Sequence, residues 1–215
     1  GGERVFELWA ATEANGLTII DGNEWLQHKG SVGKGIGTEI LILDEDRQPL
    51  PNGEVGEIFT RIAGAPPPCE YLGSKPLENL REGFTSVGDL GWLDSEGYLY
   101  LADRRTDLII SGGSNIFPAE VEAVITQHPK VCDAAVIGLQ DNDLGRRVHA
   151  VVEPVADGNN EALSLEVMDL CREQLLSYKV PRTIELVETL PRNEAGKIRR
   201  TWLRDQRDKS ANTSA

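Results

Sequence analysis

One segment, residues 84–122, constrains the fold more than any other because it joins turns, strands and a helix start in a short stretch. The run Tyr98–Leu101 consists of aromatic and aliphatic β-formers, and the turn residues Asp94–Gly97 precede it. This arrangement predicts a hairpin that turns through Gly97. We therefore expect at least one antiparallel sheet.

The same segment then passes from strand to helix across two glycines. Leu108–Ile110 is a short apolar run that predicts a strand, and Gly112 and Gly113 end it because glycine lets the backbone bend sharply. Pro118 suits the first position of a helix, which apolar spacing continues up to His128. The bare backbone of the two glycines could approach a ligand closely.

Two polar side chains flank this unit and are candidates for binding. Asp89 can accept two hydrogen bonds from a diol such as ribose. Arg104 offers a fork of donors that suits a phosphate or ribose oxygen. For Asp89 the alternative is a turn residue after Gly88. For Arg104 the alternative is a surface ion pair with Asp103 or Asp107, which would contribute little.

Residues 84–122 resemble the signature of the adenylate-forming superfamily, which contains acyl-CoA synthetases, the adenylation domains of peptide synthetases and firefly-type luciferases. Two other stretches agree with this resemblance. PRNEAGK at 191–197 resembles the family's C-terminal PxxxxGK loop with its catalytic lysine, and WAATE at 9–13 resembles its YGxTE segment. The three matches occur in the family's order, so the chain resembles the C-terminal portion of an AMP-forming acyl-CoA synthetase.

The resemblance implies roles for the residues of the first motif. Thr12 would contact the ATP phosphates, Glu13 would hold Mg²⁺, and Trp9 would stack on adenine in place of the usual tyrosine. Taken without the other motifs, Thr12 and Glu13 are more simply a helix cap after a strand. Asp89 and Arg104 would complete the nucleotide site.

Lys197 is the candidate catalytic cation. Joining a carboxylate to the α-phosphate of ATP brings two anions together, so the protein must supply aimed positive charge. A lysine is a compact point cation that can bridge the two groups. Its loop is bounded by proline and glycine and could swing in and out. Out of context, Lys197 would be one solvated cation beside Arg199 and Arg200.

The resemblance also implies that a C-terminal domain turns about a hinge. The hinge falls on Thr106, where the family usually has Asp or Lys. One orientation would present Lys197 for adenylation. The other would present Gly112 and Gly113, which would line the tunnel for the pantetheine arm of coenzyme A during thioester formation.

The expected fold class is α/β and β, in two parts. Residues 1–103 are expected to be the end of a large N-terminal domain that includes a small antiparallel β-barrel. Thr38–Leu43 and Glu54–Ile62 predict a hairpin of that barrel. Residues 104–215 are expected to form a small, mobile α+β C-terminal domain that carries the catalytic lysine.

Other elements follow from local patterns. Val5, Phe6, Leu8 and Trp9 predict a buried strand, residues 21–37 predict a loop that enters the barrel, and His28 within it is expected on the surface. Barrel core residues are expected to be Tyr71, Phe84 and Tyr98. The C-terminal part predicts strands at Cys132–Leu139, Val148–Pro154 and Thr183–Val187, a helix at Ser164–Leu176, and a last helix carrying Ile198, Trp202 and Leu203.

Composition excludes several classes of partner. Acidic residues outnumber basic ones 35 to 22, which argues against nucleic acid or anionic membrane. Cys69, Cys132 and Cys171 are odd in number and widely spaced, so neither a disulfide framework nor a zinc site is indicated. No apolar run approaches the roughly 20 residues of a membrane helix, and no signal peptide is visible. We expect a cytoplasmic protein with no integral membrane segment; a homodimer is left open.

The expected activity is that of an ATP-dependent acyl-CoA synthetase. It would activate a hydrophobic carboxylic acid through an acyl-adenylate, with Mg²⁺, and transfer the acyl group to coenzyme A. EWLQHKGSVG at 24–33 resembles synthetases of fatty acids and of bile-acid or sterol side chains. The family's phosphate loop and most of its acyl pocket should lie upstream of Gly1, so this portion is expected to be inactive alone. The alternatives are a peptide-synthetase adenylation domain, a luciferase-type oxidase and a noncatalytic nucleotide-binding module.

Overall fold

The chain forms two compact units, an N-terminal unit, Gly1–Thr106, and a C-terminal unit, Asp107–Ala215. A computed structural model describes residues 5–11, 13–62, 64, 78–80, 83–156 and 162–213. The units divide at Thr106 rather than after residue 103. Arg105 still belongs to the first unit, because its backbone N–H donates to the Gly88 carbonyl at 2.8 Å and its guanidinium to Glu57 at 2.9 Å.

The N-terminal unit is built on one antiparallel sheet. Its elements are β1 (Phe6–Ala10), β2 (Leu17–Asp21), α1 (Gly22–Gln27), β3 (Ser31–Gly35), β4 (Thr38–Leu43), β5 (Gly56–Ile62), β6 (Glu78–Asn79), β7 (Thr85–Leu93) and β8 (Leu99–Arg104). The strand order is β1-β2-β3-β8-β7-β5-β4, and β6 pairs with β7. Since β1 and β4 end this order without pairing with each other, the described strands form an open sheet, and the expected closed barrel is not seen.

Two predicted hairpins are confirmed. β4 pairs with β5 in the register Thr38↔Ile62 to Leu43↔Glu57, and β7 pairs with β8 after a turn at Asp94–Gly97. Phe84 and Tyr98 are both buried as expected. Tyr71 lies outside the described residues.

The prediction of a buried first strand is largely wrong. In β1 only Trp9 faces the core, while Phe6 and Leu8 are 59% and 55% exposed, and Val5 just before the strand is 65% exposed. Side chains alternate along a strand, so Phe6 and Leu8 lie on the face opposite Trp9, and β1 ends the sheet order, paired only with β2. Apolar composition alone does not say which side of such a strand is covered.

Residues 21–37 are not a loop. They form α1, which the Asp21 side chain caps by accepting from the N–H groups of Asn23 and Glu24 at 2.7 and 3.0 Å, and then β3. The sequence pattern did not indicate a strand at β3 because glycines interrupt its β-forming residues. Packing explains why glycines occur there. A Cβ on Gly33 would lie 2.0 Å from the Ile19 carbonyl oxygen of β2, so only glycine lets the two backbones approach.

His28 is not the surface residue expected. Its side chain is 14% exposed, its ring stacks on Tyr98 with centroids 3.6 Å apart, and Nδ1 lies 3.2 Å from the Asp94 carboxylate. The stack joins α1 to the β7–β8 turn. His28 therefore packs the hairpin rather than facing solvent.

The C-terminal unit surrounds a three-stranded sheet. Its elements are β9 (Ile109–Ser111), β10 (Ser114–Ile116), α2 (Pro118–Ile125), β11 (Val131–Asp141), β12 (Gly145–Pro154), α3 (Leu163–Gln174), β13 (Thr183–Leu186) and α4 (Arg200–Thr213). β11 pairs antiparallel with β12, and β12 pairs parallel with β13. The predicted elements are confirmed, except that Ile198 precedes α4 and that β10 was not predicted. None of the described helices is long and apolar enough to span a bilayer.

Both faces of this sheet are covered. On one face Val136, Ala150 and Val152 pack against residues of α2 and α3. On the other face Ala135, Ile137 and Val151 pack against Leu190 and against Leu203 of α4. Side chains alternate between faces along a strand, so β11 and β12 supply a core on each side. The segment with the candidate lysine lies on the α4 face.

Candidate functional site

In the N-terminal unit, the structure brings Trp9, Asp89 and Arg104 together. The indole Nε1–H of Trp9 donates to Asp89 Oδ2 at 3.0 Å, and Arg104 Nε lies 3.4 Å from Asp89 Oδ1. Asp89 and Arg104 are partners in the β7–β8 ladder. The ion pair of Arg104 is thus with Asp89, whereas Asp103 accepts from the Arg104 backbone N–H.

Asp89 keeps room for a ligand despite these contacts. A carboxylate offers about four lone-pair sites, of which the Trp9 indole N–H uses one, while the Arg104 guanidinium pairs with the other oxygen. The Asp89 side chain is 14% exposed and that of Arg104 is 64% exposed. A ribose diol could therefore reach the carboxylate beside an exposed guanidinium.

Trp9 is more deeply buried than an adenine-stacking ring needs to be. Trp9 is 8% exposed and belongs to a core cluster with Val32, Ile42 and Leu99. Stacking on adenine stays a prediction. The contact to Asp89 joins two motifs that are far apart in the sequence, and no local pattern signals it.

Glu13 lies in a turn directly after β1 and is half-buried, while Thr12 lies outside the described residues. The described part of the chain contains no cluster of three or more metal-ligating side chains. Mg²⁺ is usually held by one or two carboxylates together with substrate phosphates. Binding of Mg²⁺ by Glu13 stays a prediction.

Asn15 is a polar residue of this region that the sequence did not single out. It is 7% exposed, and its Nδ2 donates to the Thr85 carbonyl at 3.3 Å. Its Oδ1 is buried without a hydrogen-bond partner among the described residues. Buried polar atoms are normally bonded, so this oxygen has capacity for a donor.

In the C-terminal unit, Gly112 and Gly113 form a two-residue hairpin turn between β9 and β10 rather than a link from strand to helix. Ser111 pairs with Ser114 across the turn, and φ is +55° and +81° at the two glycines. Positive φ at both central residues is the requirement of a type I′ hairpin, whose twist matches the strands. The Gly112 N–H donates to the Leu144 carbonyl at 2.9 Å, which ties the turn to the β11–β12 connection.

A cavity of about 190 Å³ opens beside this turn. It is lined by Ser111, Gly112, Ser114, Leu144, Val148, Ser177, Tyr178, Val180 and Arg182. The lining residues come from separate stretches of the chain, so their spacing in the sequence gives no signal. The cavity offers hydroxyl groups and a cation beside apolar walls.

Lys197 is exposed at the end of a tight turn. Asn193 closes the turn: its N–H donates to the Lys197 carbonyl at 2.9 Å, and its Oδ1 accepts from the N–H groups of Ala195 and Lys197 at 3.1 and 2.9 Å. Gly196 has φ +76°. These bonds define the local backbone of the turn, and movement of the loop as a unit stays a prediction.

Thr106, the expected hinge residue, is exposed between anchored neighbours. Arg105 is bonded within the N-terminal unit. In the C-terminal unit, Asp107 lies 3.9 Å from Arg200, which also forms two hydrogen bonds to Glu122 at 3.2 and 2.7 Å. Arg200 is therefore not a merely solvated cation beside Lys197. A hinge at Thr106 stays a prediction.

Comparisons with known proteins agree on one family. Residues 120–197 match the family described as the AMP-binding enzyme C-terminal domain. The chain is 37% identical over 207 residues to the 2-succinylbenzoate–CoA ligase of Bacillus subtilis, a match that covers 94% of this chain and 41% of that protein. The chain thus spans about two fifths of the length of this relative.

Solved structures are similar over the same length. One is the o-succinylbenzoate CoA synthetase of Bacillus subtilis in complex with its acyl-adenylate intermediate, with a TM-score of 0.81, 36% identity, and coverage of 94% of this chain and 41% of that chain. Another is the amide bond synthetase McbA of Marinactinospora thermotolerans, with a TM-score of 0.83, 29% identity, and coverage of 95% and 42%.

Proposed function

The chain belongs to the adenylate-forming superfamily, and from that premise we propose that it is the C-terminal portion of an AMP-forming carboxylic acid–CoA ligase. The observation that carries the proposal is the 37% identity to a CoA ligase over 94% of the chain. It supports the reaction type more strongly than the identity of the acid, because the match covers only 41% of that relative.

The proposed reaction has two steps. A carboxylate oxygen of the acid attacks the α-phosphorus of ATP, and pyrophosphate leaves. The sulfur of coenzyme A then attacks the acyl carbonyl, AMP leaves, and the thiol proton passes to water. In the first step two anions approach, and the exposed ammonium of Lys197 would stabilise the charge between them.

The N-terminal unit would hold the nucleotide. Asp89 would accept from the ribose hydroxyls, supported in its orientation by Trp9, and Arg104 would donate to a ribose or phosphate oxygen. Thr12 would contact the phosphates, and Glu13 would bind Mg²⁺. The metal would neutralise phosphate charge when bound.

The cavity beside Gly112 and Gly113 would receive part of coenzyme A. Its volume of about 190 Å³ is below the usual range of roughly 300–1,000 Å³ for sites that enclose a whole ligand. A section of the pantetheine arm is therefore a better occupant than an entire cofactor. Rotation about Thr106 would present Lys197 in one step and the glycine turn in the next.

The acid is proposed to be hydrophobic. The expectation of a fatty or bile acid gains no support from the ligase and the solved structure of Bacillus subtilis, which are both named for 2-succinylbenzoate. That aromatic acid is therefore the first to test. The similarity to an amide bond synthetase favours one second candidate, an enzyme that passes the adenylate to an amine. A cytoplasmic location and a homodimer stay predictions.

The decisive experiment measures pyrophosphate release by the whole protein with a panel of acids, with coenzyme A, with an amine, or with neither. We expect release with one class of acid and formation of a thioester only when coenzyme A is present. Amide formation without thioester would favour the second candidate. Bound ATP with no pyrophosphate release from any acid would favour a noncatalytic module and refute the proposal.

A further inference from the structure

We propose that Arg192 is a positioning residue for Lys197, held in turn by carboxylates of the central sheet. The inference rests on the proposed function, because it concerns the lysine that we expect to act in adenylation. Its basis is a chain of contacts that begins on β11 and β12 and ends at the residue before Lys197.

The chain of contacts starts with two acidic residues that face each other. Asp133 of β11 and Glu153 of β12 are direct partners in the antiparallel ladder. Like charges in directly opposite positions destabilise a sheet, so such a pair needs donors. Both lie on the α4 face, since Ala135 and Val151 next along their strands pack there.

The segment before the lysine turn supplies those donors. The Leu190 N–H donates to Glu153 Oε2 at 2.7 Å, and Arg192 Nη2 donates to Asp133 Oδ2. Asp133 is itself fixed, because its Oδ1 accepts from the Ala134 N–H at 2.8 Å. The two carboxylates therefore fasten the start of the turn to the sheet.

Arg192 also reaches the far side of the turn. Its Nη1 donates to the Gly196 carbonyl at 3.0 Å, so one planar guanidinium joins β11 to the residue that precedes Lys197. A guanidinium presents its donors in a rigid fork, which fixes the direction as well as the distance. A lysine at 192 has a single ammonium and could not reproduce that geometry.

The exposure of the Arg192–Asp133 ion pair indicates that it positions the turn without being needed for folding. The side chains of Arg192 and Asp133 are 39% and 32% exposed, and exposed ion pairs contribute little to global stability. Leu190 is 1% exposed, and Ile198 packs against the same cluster, so the segment stays attached without the pair. Loss of Arg192 should change the direction of the turn and leave the fold intact.

The test compares both half reactions in the whole protein. Arg192→Ala should slow adenylation about ten- to a hundredfold, the scale of a misplaced catalytic group, and thioester formation from a supplied acyl-adenylate should change little. Arg192→Lys should fall between. The matched control is Arg199→Ala, which removes a cation two positions after Lys197 in the sequence. The Arg199 guanidinium lies 5.9 Å from the Trp202 ring centroid. The adenylation rate of Arg199→Ala should match that of the parent protein.

Two further measurements test whether Arg192 acts through its ion pair with Asp133. Asp133→Asn combined with Arg192→Ala should be no slower than Arg192→Ala alone, because both act through one pair. Hydrogen exchange at the Lys197 amide should be faster in Arg192→Ala, a readout that does not depend on activity.

The outcomes distinguish this proposal from the proposed function. If Lys197→Ala abolishes adenylation and Arg192→Ala does not slow it, the positioning role is refuted and the function stands. If Arg192→Ala slows both half reactions equally, or Arg199→Ala slows adenylation as much, the effect is structural or electrostatic and the role is again refuted. If Lys197→Ala adenylates normally, Lys197 is not the acting cation and the positioning role is refuted with it. If the parent protein releases no pyrophosphate with any acid, the proposed function itself fails.

Discussion

Trp9 donates its indole N–H to the Asp89 carboxylate at 3.0 Å, across 80 positions of sequence. The bond joins the strand before the WAATE turn to the strand that carries the candidate ribose ligand. Asp89 also faces Arg104 at 3.4 Å, so its carboxylate is oriented from two sides. Nucleotide binding should then depend on a tryptophan that is buried in the core.

Trp9→Phe tests that dependence. Phenylalanine keeps an aromatic ring in the core but removes the donor, and a hydrogen bond to a charged group contributes about 1.5–3 kcal/mol. We expect a loss of roughly that size in the free energy of unfolding, measured by urea denaturation, and weaker ATP binding by the whole protein. Trp92→Phe is the control, because Trp92 stacks on Tyr100. Equal loss of ATP affinity in both variants would contradict the role given to the Asp89 contact.

Lys197→Ala tests the candidate cation. Removing one preorganised donor of positive charge typically costs about a hundred- to a thousandfold in rate, so adenylation by the whole protein should slow by that factor. Thioester formation from a supplied adenylate should be much less affected. Rapid-quench assays of each half reaction measure the two rates. Equal losses would contradict the account in which the two steps use different orientations.

Alanine at the glycine turn should be costly for two separable reasons. A left-handed backbone costs an alanine roughly 1–2 kcal/mol, which applies at both Gly112 and Gly113. At Gly112 the new Cβ would also lie 3.2 Å from Leu144 Cδ2, whereas at Gly113 it meets nothing within 4 Å. Urea denaturation should show Gly112→Ala as the less stable variant. Gly113→Asn, which tolerates this conformation better, should be nearly neutral.

The stability of the chain should depend on pH through His149. Its side chain is 8% exposed, with Nδ1 2.7 Å from Thr183 Oγ1 and Nε2 3.3 Å from Glu185. Burial lowers the pKa of His149, and the neighbouring Arg207 and Arg147 act in the same direction, although Glu185 opposes them. The unfolded chain, with a histidine pKa of about 6.5, therefore binds this proton more readily than the folded chain.

It follows that the free energy of unfolding should decrease as the pH falls below about 6.5 and level off once the folded histidine is also protonated. Urea denaturation between pH 5 and 8 measures this slope. His149→Gln, which keeps polar atoms but does not titrate in this range, should flatten it. His128→Gln is the control, because His128 contacts a different carboxylate, that of Glu166, at 3.4 Å. A slope that survives His149→Gln would assign the effect to another group.

Local signals in the sequence predicted much of the fold. Pro118 placed the start of α2, and alternating residues placed the β4–β5 hairpin, because each depends on neighbours in the chain. The strand β3 was missed because Gly33 is required by the close approach of Ile19, a contact from another strand. Only the fold shows that β1 is covered on one side and that the described sheet is open.

The candidate site also contains residues that the sequence indicates and contacts that only the fold shows. Asp89, Arg104, Gly112 and Lys197 were singled out because they lie in recognisable motifs. The contact between Trp9 and Asp89, the cavity beside the glycine turn and the role of Arg192 depend on residues brought together from distant segments. Arg192 lies inside the PxxxxGK motif, yet its partner Asp133 lies 59 positions away, and no short pattern links them.

The pairing of Asp133 with Glu153 makes the lysine turn sensitive to a length change elsewhere. β11 and β12 are joined by a short turn in which Asp141 pairs with Gly145. Inserting or deleting one residue there would favour a shift in the pairing register of the two strands. A shift of one position moves every side chain of the shifted strand to the opposite face. If β11 slipped, Asp133 would turn to the face that α2 covers and release Arg192; if β12 slipped, Glu153 would release the Leu190 N–H. The spacing of a connection at the far end of the sheet is thus part of what aims Lys197.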